Sequence, residues 1–132
     1  VKEHVRAFAE SLGVPTSQIV IGGRSMGGRM CSMAIADKED PLVVAGLVLV
    51  SYPLHPPKKP DTLRIEHLPR VAVPTLCISG TKDNFGTPQE LENAFSVVPG
   101  AVTWSWVDNG RHELAKADAD VAQRIAAWVT AL

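Results

Sequence analysis

Gly23-Arg24-Ser25-Met26-Gly27 spells G-x-S-x-G, a spacing that can turn a serine into a nucleophile when a strand runs into it and a helix leaves it. Gly23 and Gly27 are the small flanks that let the chain pass a strained turn and project the hydroxyl. Ser25 then lies at a helix N-terminus, where the dipole favours developing negative charge, and the N–H of Met26 is placed to meet an oxyanion. A serine hydroxyl is a weak nucleophile, so it needs a base, and the base needs an orienting acid. Asp83, in Gly80-Thr81-Lys82-Asp83, and His112, in Asn109-Gly110-Arg111-His112, supply those types in the order Ser, Asp, His. The chemistry this set suits is acyl transfer: Ser25 attacks, His112 moves the proton and Asp83 orients His112.

Competing readings of the same residues are weaker. Gly23 to Met30 has the glycine spacing of a phosphate loop, but Arg29 replaces its lysine and Met30 its metal-binding hydroxyl. A dinucleotide fingerprint fails on glycine spacing. Asp83 could be an ordinary turn residue and His112 a surface histidine; taken together and in register with the serine, they favour the chemistry. Asp108 and Glu113 are rival acids, each too near His112 in sequence to be preferred. His55 and His67, in a proline-rich loop, lack suitably spaced partners for a metal, and His4 reads as a solvated helix residue. No cofactor and no metal is expected. Lys58-Lys59 suggests a gate for anionic substrates, against the simpler reading of two solvated lysines.

Positioning these residues requires strands that end on one side. Val1, Val5, Phe8 and Leu12 recur at helical spacing up to Gly13. Ile19 to Ile21 reads as a short buried strand, and Met26, Met30, Met33 and Ala34 give the stripe of a helix over 25–36. Val43 to Val50 is a strand covered on both faces, and 51–69 is a proline-rich loop with at most one helical turn over 63–68. Val71 to Ser79 is a third strand, and Pro88 to Val97 a helix capped by Thr87. Val102 to Val107 is a fourth strand, and Val121, Ile125, Trp128, Val129 and Leu132 form the apolar face of a last helix. Alternation of this kind predicts a three-layer α/β/α fold on a mainly parallel sheet of about four strands. Ser25, Asp83 and His112 each follow a strand's C-terminal end, where the chemistry of such sheets collects.

Composition bounds the remaining classes. The 132 residues suit one domain, and 45% hydrophobic content can build a core. A net charge of -1 with mixed signs offers no basic stripe for nucleic acid. No apolar run nears the ~20 residues that span a bilayer. Cys31 and Cys77 read as buried thiols without a disulfide, and a reducing cytoplasm is the expected compartment. The chain opens on Val1 already inside a helical pattern, which reads as a fragment or a processed chain.

Gly22-Gly23-Arg24-Ser25-Met26-Gly27-Gly28-Arg29, Ser51-Tyr52-Pro53-Leu54-His55-Pro56-Pro57, Gly80-Thr81-Lys82-Asp83 and Asn109-Gly110-Arg111-His112 together resemble a branch of the α/β-hydrolases. That branch includes the testis-expressed hydrolase-like proteins and a chromatin NSL-complex subunit, and is similar to the dienelactone hydrolases. The resemblance covers nearly the whole chain and implies the C-terminal part of the fold, with Ser25, Asp83 and His112 as the triad. The family places further strands before the serine, and a loop among them gives a second oxyanion N–H; both are missing here. The strand carrying Ser25 thereby becomes an edge, which predicts self-association. The expectation is a serine hydrolase for a small-molecule ester, thioester or related acyl substrate. Its rival is a non-catalytic module of the same fold that binds a protein partner.

Overall fold

A computed structural model describes residues 1–132 in full. The elements are α1 (Lys2–Leu12), β1 (Val20–Arg24), α2 (Met26–Ile35), β2 (Gly46–Val50), β3 (Thr75–Gly80), α3 (Pro88–Phe95), β4 (Val102–Val107) and α4 (Asp118–Thr130). Single 3-10 turns occupy Thr16–Gln18 and Leu68–Arg70. The four strands form one sheet in the order β1-β2-β3-β4, every pair parallel. This is the α/β architecture expected from the alternation of elements.

Alternate side chains of the strands feed two cores, as the period of two requires. Leu47, Leu49 and Cys77 join Ile21, Leu91 and Phe95 on the face covered by α2 and α3. Val48, Val50, Leu76 and Ile78 join Val121 of α4 on the other face. Burying a leucine as fully as Leu47 or Leu49 contributes about 1.5–3 kcal/mol. Cys31 and Cys77 are buried and unpaired.

Several boundaries and faces differ from the sequence reading. β1 runs on through Gly22 and Gly23 to Arg24 rather than stopping at Ile21. β2 begins at Gly46, and Val43 lies out in solvent at 61% exposure. β3 begins at Thr75, because Pro74 has no N–H to donate; its carbonyl accepts from the Leu47 N–H at 2.9 Å instead. The methionine stripe of α2 faces outward: Met26, Met30 and Met33 are exposed, while Gly28, Cys31, Ser32, Ala34 and Ile35 are buried. Phe8 and Leu12 of α1 are likewise exposed, as are Val129 of α4 and Leu132 beyond its end, leaving Val121, Ile125 and Trp128 to pack.

His67, at the start of the Leu68–Arg70 turn, is buried against α2. The Ser32 hydroxyl spends its one hydrogen on the Arg29 carbonyl at 2.6 Å, so His67 Nε2–H donates to Ser32 Oγ at 2.7 Å. Burial, reinforced by the charges of Arg29 and Arg70, lowers the His67 titration from 6.5 to about 4. The native state therefore refuses a proton that the unfolded chain accepts. Stability should fall as pH drops from 6.5 towards about 4, by up to about 3 kcal/mol, and gain nothing above 6.5. Urea midpoints at pH 7 and 4.5 check this: the stability difference between the protein and its His67→Gln variant should shrink at the acid pH.

β1 pairs only with β2, so its outer backbone edge is open. A groove of about 540 Å³ flanks it, lined among others by Val20, Val48, Val50, Ile125 and Val129. Open apolar edges recruit further strands. Light scattering should show mass rising with concentration, and less so for Val129→Lys at the groove rim. A monomer at every concentration would remove the edge as a cause of association.

Candidate active site

Ser25 sits between β1 and α2 with φ 51° and ψ −124°, a region that side-chain-bearing residues rarely adopt. The turn is this tight because α2 begins at the very next residue. A Cβ on Gly23 would lie 2.6 Å from the Gly27 carbon and the Gly28 nitrogen, and a Cβ on Gly28 would lie 2.6 Å from the Gly23 carbonyl oxygen. A side chain at Gly27 would meet nothing within 4 Å. This corrects the reading of the flanks. Gly23 is needed for close packing, but its counterpart is Gly28, one residue beyond the motif.

The Ser25 N–H donates to the Val50 carbonyl at 2.7 Å, extending the β1–β2 ladder by one residue and locking the turn. Met26 is the first helical residue, so its N–H has no acceptor within the helix. It stands beside the Ser25 hydroxyl at the positive end of α2.

The structure brings Ser25, His112 and Asp83 into one hydrogen-bonded chain. His112 Nδ1–H donates to Asp83, at 2.9 Å to Oδ2 and 3.1 Å to Oδ1. That leaves Nε2 bare, and the Ser25 hydroxyl donates to it at 2.8 Å. Asp83 is buried, and its carboxylate also accepts the Phe85 N–H at 2.8 Å. The Phe85 ring stacks on the imidazole with centroids 3.9 Å apart and planes 28° from parallel. Two partners and a stacked face thus fix the ring's tautomer and tilt. The rival acids Asp108 and Glu113 are exposed, and neither carboxylate touches His112.

Residues that the sequence reading did not single out hold the two loops together. Gly80 ends β3 where a Cβ would overlap the backbone of Gly110, so the Asp83 loop and the His112 loop meet backbone to backbone. Lys82 N–H donates to the Gly110 carbonyl at 2.8 Å, and Asn109 N–H donates to Thr81 Oγ1 at 2.8 Å. Arg24 reaches from the end of β1 to the Glu113 carbonyl at 2.6 Å, tying the His112 loop to the turn that carries Ser25. Both glycines lie within quoted motifs, and that was the only signal available.

His55 has a structural part that spacing could not reveal. Its backbone N–H donates to the Phe85 carbonyl at 3.0 Å, and its buried ring faces the Pro56 carbonyl at 2.8 Å and Glu90 Oε1 at 3.1 Å. Glu90 also closes the capping box of α3 with Thr87. The clamp therefore joins the loop after β2, the Asp83 loop and α3.

The chain matches the family model described as the alpha/beta hydrolase domain across residues 1–131. It belongs to the α/β-hydrolase family. Solved structures agree on the fold. This α/β-hydrolase is similar to an α/β hydrolase enzyme from the metagenome of lagoon sediments at Mar Chica, Morocco, with TM-score 0.69, 18% identity and 98% of this chain covering 68% of that one. It is similar to the monoacylglycerol lipase of Paleococcus ferrophilus, with TM-score 0.74, 14% identity and coverage of 98% and 74%. The esterase domain of a Rhodothermus marinus protein gives TM-score 0.66, 15% identity and coverage of 92% and 64%. The α/β-hydrolase chain thus spans between 64% and 74% of the length of these three neighbours.

The His55 clamp gives this domain a pH dependence of the opposite sign to that of His67. Burial works against a charge on His55, but the Pro56 carbonyl and Glu90 outweigh it and raise its titration above 6.5. The Thr87 N–H, then His55, hold Glu90 below its ordinary value of 4.5. The stabilisation from His55 is fully present below 6.5 and is lost as pH rises through the elevated titration. Urea unfolding between pH 6 and 9 should show this loss, and His55→Gln should flatten it.

Proposed function

We propose that this α/β-hydrolase domain is the catalytic C-terminal part of a serine hydrolase acting on an ester, thioester or related acyl bond. The single observation that carries the reading is the unbroken hydrogen-bonded chain from Ser25 Oγ through His112 to Asp83, at 2.8 and 2.9 Å. Distances of this kind are within reach for proton transfer.

In this reading Ser25 Oγ attacks the acyl carbon while its proton passes to His112 Nε2. The carbonyl oxygen becomes an oxyanion that accepts the Met26 N–H. His112 then hands the proton to the departing alkoxide or thiolate, leaving an acyl-serine. Water repeats the sequence with His112 as its base and releases the carboxylic acid. Asp83 stays ionised throughout and stabilises the imidazolium that forms twice in each cycle. No step calls for a metal or cofactor. The motif-level likeness to the dienelactone hydrolases and the NSL-complex branch belongs to this proposal, as does a reducing cytoplasmic setting, in keeping with the two free buried thiols.

A fluorophosphonate probe tests the reading, since phosphonylation needs an activated hydroxyl. It should label Ser25, fail on Ser25→Ala, and lose most of its rate on His112→Ala, because members of a triad act as a unit. Asp83→Asn should cut ester turnover by about 10⁴-fold. Asp108→Asn and Glu113→Gln should leave turnover near the parent's. A folded protein that takes up no probe would shift the reading to a non-catalytic partner-binding module.

A further inference from the structure

Arginine charge in this chain is mostly answered. Arg6, Arg24, Arg70 and Arg124 each lie within 4 Å of an aspartate or glutamate. Arg29, Arg64 and Arg111 have no such partner. Arg111 is exposed in the His112 loop. Arg29 lies within α2, and Arg64 reaches Met26, the residue that follows Ser25.

Arg64 is delivered there by a loop folded back on itself. Its N–H donates to the Leu54 carbonyl at 2.9 Å, and its own carbonyl accepts the Tyr52 hydroxyl at 2.6 Å. Pinned at both ends, the half-buried side chain reaches α2. Nη1 donates to the Pro53 carbonyl at 3.1 Å and lies 3.9 Å from Met26 Sδ, the residue next to Ser25. A guanidinium has five N–H groups, and the remainder here meet no acceptor in the chain. Arg29 stands one helical turn behind, its N–H donating to the Ser25 carbonyl at 3.1 Å. Its Nε is buried with no acceptor at all. Burial pushes the Tyr52 phenol up, and the Arg29 charge and hydrogen bond, with the Arg64 charge, work against that rise. The N-terminal dipole of α2 adds to the same positive field.

Lys58 and Lys59, the sequence candidates for reading an anion, are exposed on the loop and touch nothing at the site. Arg64, half-buried and with unspent donors beside Met26, is the better match, because a guanidinium fork fits a carboxylate in two parallel hydrogen bonds.

We propose that Arg64 is an anion subsite, and that the substrate carries a carboxylate on the side that lies over Met26. The inference rests on the hydrolase reading of Ser25. It narrows the substrate class from esters in general to half-esters of dicarboxylic acids and their like.

Monoethyl succinate, glutarate and adipate, compared with ethyl butanoate, pentanoate and hexanoate, match each charged ester to a neutral one of equal length. At low salt, kcat/KM for at least one half-ester should exceed that of its neutral match by about 10-fold or more. This ratio should fall by about 10-fold in Arg64→Gln, and Arg64→Lys should restore part of it, since a lysine keeps the charge but not the fork. Circular dichroism and probe labelling of Ser25 establish that each variant folds. If Arg64→Gln does not fold, Arg64→Lys decides: an unchanged ratio overturns the subsite, and a reduced one supports it. Equal handling of charged and neutral esters by the parent overturns the subsite and leaves the hydrolase reading standing. So does labelling of Ser25 without turnover of any half-ester. Absence of both labelling and turnover overturns the two together.

Discussion

The site depends on a contact between two residues that have no side chains. Gly23 at the end of β1 and Gly28 in the first turns of α2 press backbone on backbone, with no room for a methyl on either. That contact lets the helix leave the strand without a connecting loop. Ser25 is then held at φ 51°, which costs on the order of 1–3 kcal/mol, and the ladder bond from its N–H to Val50 holds it there. The hydroxyl is thereby fixed at the lip of the sheet and aimed at His112. A freer turn would relax into an ordinary conformation and lose the aim.

The second half of the site is built on the same economy. Gly80 and Gly110 bring the ends of β3 and β4 together so closely that Asp83 and His112 share one hydrogen-bonded framework. Around it, Arg24 reaches in from β1, and His55 with Glu90 braces the far side of the Asp83 loop. Each of the three hydrogen-bonded residues is thus carried by a strand end and steadied by a residue from a different element. The geometry is set by packing and hydrogen bonds formed before any ligand arrives, which is the condition for electrostatic preorganisation.

What the sequence disclosed follows from how local each signal is. The turn at Ser25 was legible because strand, glycine and helix lie within a few residues. Asp83 and His112 were legible because each follows a strand, and parallel strands deliver their C-terminal ends to one side. The facing of α2 was not. Its methionines recur at helical spacing, yet the small residues Gly28, Cys31 and Ser32 recur just as well, and periodicity does not say which stripe meets the sheet. Close approach to β1 decides it, and that is a property of the packed pair. Gly27 was credited with a contact that Gly28 makes for a similar reason: the motif marks where the turn is, while the rise and rotation of the helix determine what it touches. The link between His55 and Glu90 crosses 35 positions and an irregular loop, so no period announces it.

The strand order also has a kinetic meaning. Each strand pairs with the next along the chain, and partners in every pair lie about 27 residues apart, so the sheet closes through three loops of nearly equal entropic cost. No strand has to be inserted between two already paired, and no single closure dominates the folding barrier. Ser25 and His112, however, are 87 positions apart and meet only across the full width of β1 to β4. The hydrogen bond between them therefore requires all four strands to be in place. In this chain the Ser25–His112 contact is a register of the whole sheet's assembly.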